Sequence, residues 1–216
     1  ETDYLLQLAS AHAEIKGVVG WLDLCAPTIE RELADYADQK KLKGLRMLIH
    51  DRADPDFAIS EPHVNGVSKL AGFGLTYDLL LKPPHLPAAI KLVDRLPNQM
   101  FVVDHIAKPD IKNQIMVPWR SLMKDLAQRF NVYCKLSSVI TQADWATWTD
   151  AEIFPFLDVA LEAFGSNRIM TGSDWPVSTL AADYAGTMGL LQRWSQHLSS
   201  SEQAAFMGGN CARFYC

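Results

Sequence analysis

Apolar residues in this chain form short dense runs separated by longer stretches with helical spacing, and the two patterns alternate from end to end. The runs at 18–22, 42–48, 75–81, 100–103, 132–136 and 168–172 read as β-strands. Between them, 27–40 places Ile29, Leu33 and Ala37 on one helical face. Helices are also predicted over 62–72, 86–96, 115–130 and 152–164. Pro87 suits a first helical turn, and Gly165 suits a helix end. Two terminal helices are expected at 180–198 and 201–214, the second behind a cap supplied by Ser199-Ser200-Ser201-Glu202.

Six strands, each followed by a helix, recur every roughly 25–36 residues, the length of a βα unit. Strict alternation implies a parallel sheet covered by helices, and near-continuous apolar strands fit a sheet buried on both faces. The strand ends decide between a barrel and a doubly wound sheet. They carry Asp23, Arg46, Asp78, His105, Lys135 and Asp174, and in a βα barrel all these ends converge on the face where the chemistry sits. A dinucleotide-binding sheet would want a glycine-rich turn after its first strand, but Gly17-x-x-Gly20 lies within or before that strand. The expected fold is therefore α/β, a TIM (β/α)8 barrel, as one domain over 1–216. Closing such a barrel takes eight strands and about 250 residues. Two βα units are thus expected to precede Glu1, leaving strands three to eight here with two open edges that invite pairing.

Of the 216 residues 49% are hydrophobic, enough for one sizeable core. The formal net charge of −5 comes with no basic stripe, which argues against nucleic acid as a partner. No run approaches the ~18 apolar residues of a membrane helix, and the opening Glu1-Thr2-Asp3 carries no secretory signature. Cys25, Cys134, Cys211 and Cys216 form no C-x-x-C pair and read as incidental thiols of a reducing compartment. A cytoplasmic enzyme with a small-molecule substrate is expected; a homo-oligomer is left open.

Three segments carry specific signal: Val103-Asp104-His105-Ile106-Ala107-Lys108-Pro109, Tyr133-Cys134-Lys135-Leu136-Ser137, and Gly172-Ser173-Asp174-Trp175-Pro176. Together with Lys43-Gly44-Leu45-Arg46 and Gly209-Asn210-x-x-Arg213-Phe214-Tyr215, they resemble the amidohydrolase superfamily. Within it they resemble the amidohydrolase-related branch of sugar lactonases and 2-pyrone-4,6-dicarboxylate lactonase. Two departures stand out. The family's first strand ends in His-x-His, a motif absent here, and Ser138 stands where the family commonly has Gly, a change that matters only if the backbone needs a positive φ.

The resemblance implies a hydrolase that opens a cyclic ester, with Asp174 as the base that activates water and His105 beside it. Arg46, Lys135, Tyr77, Asp78 and Trp21 are the expected substrate contacts. Tyr77 and Asp78 alternate along one strand, so only one of them can face inward. His85 is a candidate for the mouth of the site, and Trp145 and Trp148 for covering a sugar ring. Of the superfamily's metal ligands only His105 and Asp174 match, and catalytic zinc usually has three protein ligands. No required cofactor is therefore expected. A single divalent ion such as zinc on His105 and Asp174 is the alternative, given a histidine pair from elsewhere. The competing functions are a decarboxylase or hydratase of the same superfamily acting on an aromatic acid, or a truncated, non-catalytic chain.

Overall fold

The computed structural model describes residues 1–215; Cys216 lies outside the described residues. Six strands form one sheet in sequential order, β1 (Val18–Gly20), β2 (Leu42–Leu48), β3 (Thr76–Leu80), β4 (Phe101–Val103), β5 (Val132–Leu136) and β6 (Ile169–Thr171). Every neighbouring pair is parallel. The sheet curls into a partial barrel with helices around it. These are α1 (Thr2–Ala11), α2 (Ile29–Asp35), α3 (Glu61–Leu70), α4 (Leu86–Arg95), α5 (Trp119–Leu126), α6 (Asp150–Phe164), α7 (Tyr184–Ser195), α8 (Ser200–Ala204) and α9 (Asn210–Tyr215).

The register explains the division of labour between the faces. Leu45, Tyr77, Phe101 and Val132 align across β2 to β5 on the outer face. There they join the large core shared with the helices, including Val67, Leu92, Met123 and Phe156. The next row, Arg46, Asp78, Val102 and Tyr133, faces inward. A second, smaller core of Val102, Met170 and Phe214, with Tyr133 and Cys211 against it, fills the concavity. Alternate residues of each strand thus serve two separate cores.

Several helices are shorter than their periodicity predicts. The segment expected over 27–40 is helical only to Asp35, and the one expected over 115–130 begins at Trp119 behind Pro118. The helix expected at 201–214 is three pieces. α8 starts on a capping box between Ser199 and Glu202, then Ala205–Gly209 widens into a π-helical turn that breaks at Gly208, before α9 begins. Asn210 holds α9 in place, its Nδ2 donating to Ser166 O at 2.7 Å and Ile169 O at 2.6 Å beside β6. No helix among the described residues is long and apolar enough to cross a membrane.

Candidate active site

The C-terminal strand ends open into a cavity of about 550 Å³, lined among others by Arg46, Asp104, His105, Lys135, Asp174 and Tyr215. At its floor lies a charge network. Lys135 Nζ bridges two buried carboxylates, Asp78 Oδ2 and, at 2.8 Å, Asp104 Oδ1. Arg46 donates to Asp104 Oδ2 at 3.0 Å. The Tyr215 hydroxyl, brought in by α9, lies 2.9 and 2.8 Å from the two oxygens of Asp78. Burying two carboxylates is tolerable only because cations and donors surround them.

The two acids respond differently to that setting. Burial pushes the Asp78 carboxyl up to about 6, with Asp104 adding to the rise against the pull of Lys135. Burial also works against ionised Asp104, but Lys135, His105 and Arg46 outweigh it and hold that carboxyl well below its ordinary range. Asp78 and Lys135, expected as substrate contacts, are therefore largely engaged with each other. Arg46 is the freer cation, with its side chain 39% exposed.

His105 and Asp174 face each other beside this network, His105 Nε2 lying 3.6 Å from Asp174 Oδ1. On the other side of the ring, Ser137 Oγ is 2.8 Å from Nδ1. Burial lowers the His105 pKa despite the nearby carboxylates of Asp104 and Asp174. A neutral ring that accepts the Ser137 hydroxyl proton bond at Nδ1 presents Nε2–H to Asp174. By simple alternation after Val103, Asp104 points inward and His105 would point away. Instead His105, Ile106, Ala107 and Lys108 are all left-handed, with φ of 55°, 45°, 57° and 48°. This turn swings the imidazole into the cavity. Such backbone costs roughly 1–2 kcal/mol per non-glycine residue, a kind of strain that collects at functional sites. Asp174 and Ser138 leave their strands in the same region, at φ 54° and 56°.

Other expected residues lie elsewhere. Tyr77 points outward, fully buried, with its hydroxyl 2.8 Å from Nε2 of His63. The same alternation that turns Asp78 inward removes Tyr77 from the site. His63, within the helix expected over 62–72, lies in α3 and is fully buried. Trp21 lines a separate cleft of about 370 Å³ that shares Arg46 with the main cavity. Asp23 is exposed and accepts from Cys25 N at 3.0 Å within a turn. His85 is buried between loops, its ring nitrogens 3.3 Å from Lys82 N and 3.1 Å from Arg52 O. Trp145 lines an adjoining cleft of about 670 Å³ beyond Lys108, and Trp148 donates to Ala181 O at 3.1 Å.

Asp104, Ser137 and Tyr215 were not singled out by sequence, although all three lie in or beside quoted motifs. The signal for Asp104 was its place next to His105, on the inward phase of the strand. Tyr215 closes a quoted motif, but its role had no signal, because only the fold brings it to Asp78 on β3.

A family model described as Amidohydrolase matches residues 1–216, the whole chain. The chain belongs to the amidohydrolase family. This amidohydrolase is 38% identical over 226 residues to an L-fucono-1,5-lactonase of Burkholderia multivorans, covering 100% of this chain and 76% of that protein. It is 33% identical over 228 residues to an L-fucono-1,5-lactonase of Burkholderia ambifaria, covering 100% and 75%. Its fold superimposes with a TM-score of 0.94 on a Burkholderia multivorans amidohydrolase solved with bound zinc, at 37% identity and covering 99% of this chain and 78% of that one.

The donor set of the amidohydrolase can be tested against such an ion. His105 Nε2 and Asp174 Oδ1 share the cavity. Among the described residues, however, no group of three or more His, Cys, Asp or Glu side chains converges to hold a metal. Two protein ligands do not fit a tightly held zinc, whose catalytic sites usually have three.

Proposed function

We propose that this amidohydrolase hydrolyses the ester bond of a sugar-acid lactone. The observation that carries the reading is the facing pair of His105 and Asp174 at 3.6 Å, set in a cavity that the part-exposed Arg46, paired with Asp104, also lines. The lactonase names of relatives at 38% and 33% identity support the substrate class.

In this mechanism the Asp174 carboxylate takes a proton from a water in the cavity, and the resulting hydroxide attacks the lactone carbonyl. Nε2–H of His105 orients Asp174 and the water. Arg46 keeps N–H groups directed at the cavity and donates to the oxyanion that forms. Lys135 acts one step back, because its charge is matched by Asp78 and Asp104. Protonated Asp174 then returns its proton to the ring oxygen as the acyl–oxygen bond breaks. The product is an open hydroxy acid. An oxyanion donor contributes on the order of 10²–10³ in rate and a positioned base on the order of 10²–10⁴. No step of this mechanism runs through a metal ion.

The test is acid release from aldonolactones, followed with a pH indicator. Asp174→Asn is expected to lower kcat at least about 10²-fold while leaving the urea midpoint within error of the parent. Undiminished turnover in that variant would sink the assignment. Carbon dioxide release from an aromatic acid, with lactones untouched, would move the reading to a decarboxylase. Dialysis against a chelator is expected to leave kcat unchanged. A loss of activity that zinc alone restores would overturn the metal-free mechanism.

A further inference from the structure

The turn that delivers His105 is left-handed over four residues, none of them glycine. Such a conformation persists only where its surroundings hold it. Inside the turn, Lys108 N–H donates to His105 O at 2.8 Å. From outside, Ser137 meets the His105 ring, the Cys134 thiol meets the Ile106 backbone, and Trp119 reaches the Ile106 carbonyl. Trp119, in the first turn of α5 and 1% exposed, donates its indole N–H to Ile106 O at 2.7 Å. Ile106 is itself fully buried, so its carbonyl has no access to bulk water. The Trp119 ring is fixed in turn against Phe156 of α6, with centroids 5.5 Å apart. Trp119 does not line the cavity.

We infer that Trp119 is a positioning residue for His105: its indole N–H clamps the left-handed turn at Ile106 and so aims the imidazole at Asp174. The hydrogen bond falls one residue after His105 and two before Lys108. Removing the donor leaves a buried carbonyl without a partner and lets the turn relax toward right-handed or extended backbone. His105 would then swing away from Asp174. The inference rests on the reading of His105 and Asp174 as the reactive pair.

Trp119→Phe tests it, with Trp194→Phe as a matched control. Trp194 is also buried, at 2% exposure, and also donates its indole N–H, to Asp158 Oδ1 at 2.8 Å. It sits in α7 against Phe206 and His197, outside the site. Both variants lose ring volume and one indole hydrogen bond, to a buried carbonyl in Trp119→Phe and to the carboxylate of an exposed aspartate in Trp194→Phe, so both should unfold earlier. Trp119→Phe alone is expected to lower kcat at least about tenfold with KM changed less than about threefold, since a reacting group misplaced by ~1 Å can lose ~10²-fold in rate. Trp194→Phe should keep kcat within about twofold. Equal, small effects on kcat in the two variants would overturn the inference.

A second arm needs no turnover. In protein labelled with ¹⁵N-histidine, the ring-nitrogen signals of His105 should shift in Trp119→Phe and stay in place in Trp194→Phe. Unmoved signals in both would refute the clamp. Should the parent protein prove inactive on lactones while the His105 signals shift, the clamp stands and the substrate reading falls. Should Trp119→Phe fail to fold, the same comparison is made in an Ala107→Gly background, where the left-handed turn is less strained.

Discussion

Replacing Lys135 by Met keeps a side chain of similar length and removes its charge. The ammonium sits between Asp78 and Asp104, whose side chains are 1% and 0% exposed. Removing one partner of a buried ion pair typically costs about 3–5 kcal/mol, and here it strands two carboxylates at once. Tyr215 still donates to Asp78 and Arg46 to Asp104, so the lower half of that range is expected near pH 6. The pH dependence identifies the cause. In the parent, burial already raises Asp78 to about 6, and without Lys135 it must rise further. A carboxyl whose folded pKa exceeds its unfolded value contributes stability that is complete below the unfolded value and is lost as pH rises through the folded one. In the parent that loss ends near pH 6. In Lys135→Met it continues, so the deficit should grow above pH 6 by up to about 1.4 kcal/mol per pH unit. Urea unfolding of both proteins at pH 5.5, 7 and 8, followed by tryptophan fluorescence, measures this. A deficit below about 1 kcal/mol, or one equal at pH 5.5 and 8, would show that the two carboxylates are not held by this charge.

Three further outcomes follow from particular contacts. Gly66→Ala would set a Cβ 1.9 Å from the backbone oxygen of Leu24, so it should lower stability by at least ~1–3 kcal/mol; a thermal midpoint equal to the parent's would contradict the packing of α3 there. Tyr77→Phe removes the hydroxyl 2.8 Å from His63 Nε2 and should cost about 1–3 kcal/mol with kcat untouched; a large fall in kcat would mean that Tyr77 faces the substrate after all. Ser138→Gly relieves a left-handed residue, worth about 1–2 kcal/mol. It also loses the 2.8 Å contact with Thr141 Oγ1 and adds unfolded-state freedom of about 0.5–1 kcal/mol. The net change should lie within about 1 kcal/mol of zero, and calorimetry showing more than 2 either way would expose a missing term.

The strands were legible because each is a nearly unbroken apolar run, and β2 and β5 fall on the expected residues. Helix lengths were less so. The periodicity over 115–130 continues through residues that the fold uses as a turn, with Ile115 in an isolated bridge to Asp110. Strand-end position correctly marked Arg46, His105, Lys135 and Asp174 as neighbours, because all parallel strands point their C-terminal ends one way. It failed for Asp23, whose short strand stops at Gly20, and alternation alone separated Asp78 from Tyr77. The left-handed turn at His105 was invisible, since Asp-His-Ile-Ala-Lys contains none of the glycines that usually announce such backbone. For Ser138 the question of a positive φ was put by the sequence, and the structure answers it with 56°. Tyr215 was unreadable for a different reason: its partner Asp78 is 137 positions away.

That last separation has a consequence for synthesis. The pairing of all six strands needs nothing beyond Thr171, so a nascent chain can form the sheet and most of its outer core while Leu190, Leu191, Trp194 and Phe206 of that core are still emerging. Asp78 would meanwhile face Lys135 without the tyrosine hydroxyl, over a concavity lacking Phe214. At ~5–20 residues per second, Tyr215 arrives roughly 2–9 s after Thr171. For those seconds the barrel interior is wet, and a chaperone or a wrong partner could enter it. Docking of α9 is then the event that brings Phe214 into the concavity and the Tyr215 hydroxyl to Asp78. Among the described elements, α9 thus completes the floor of the cavity only after the strands around it have paired.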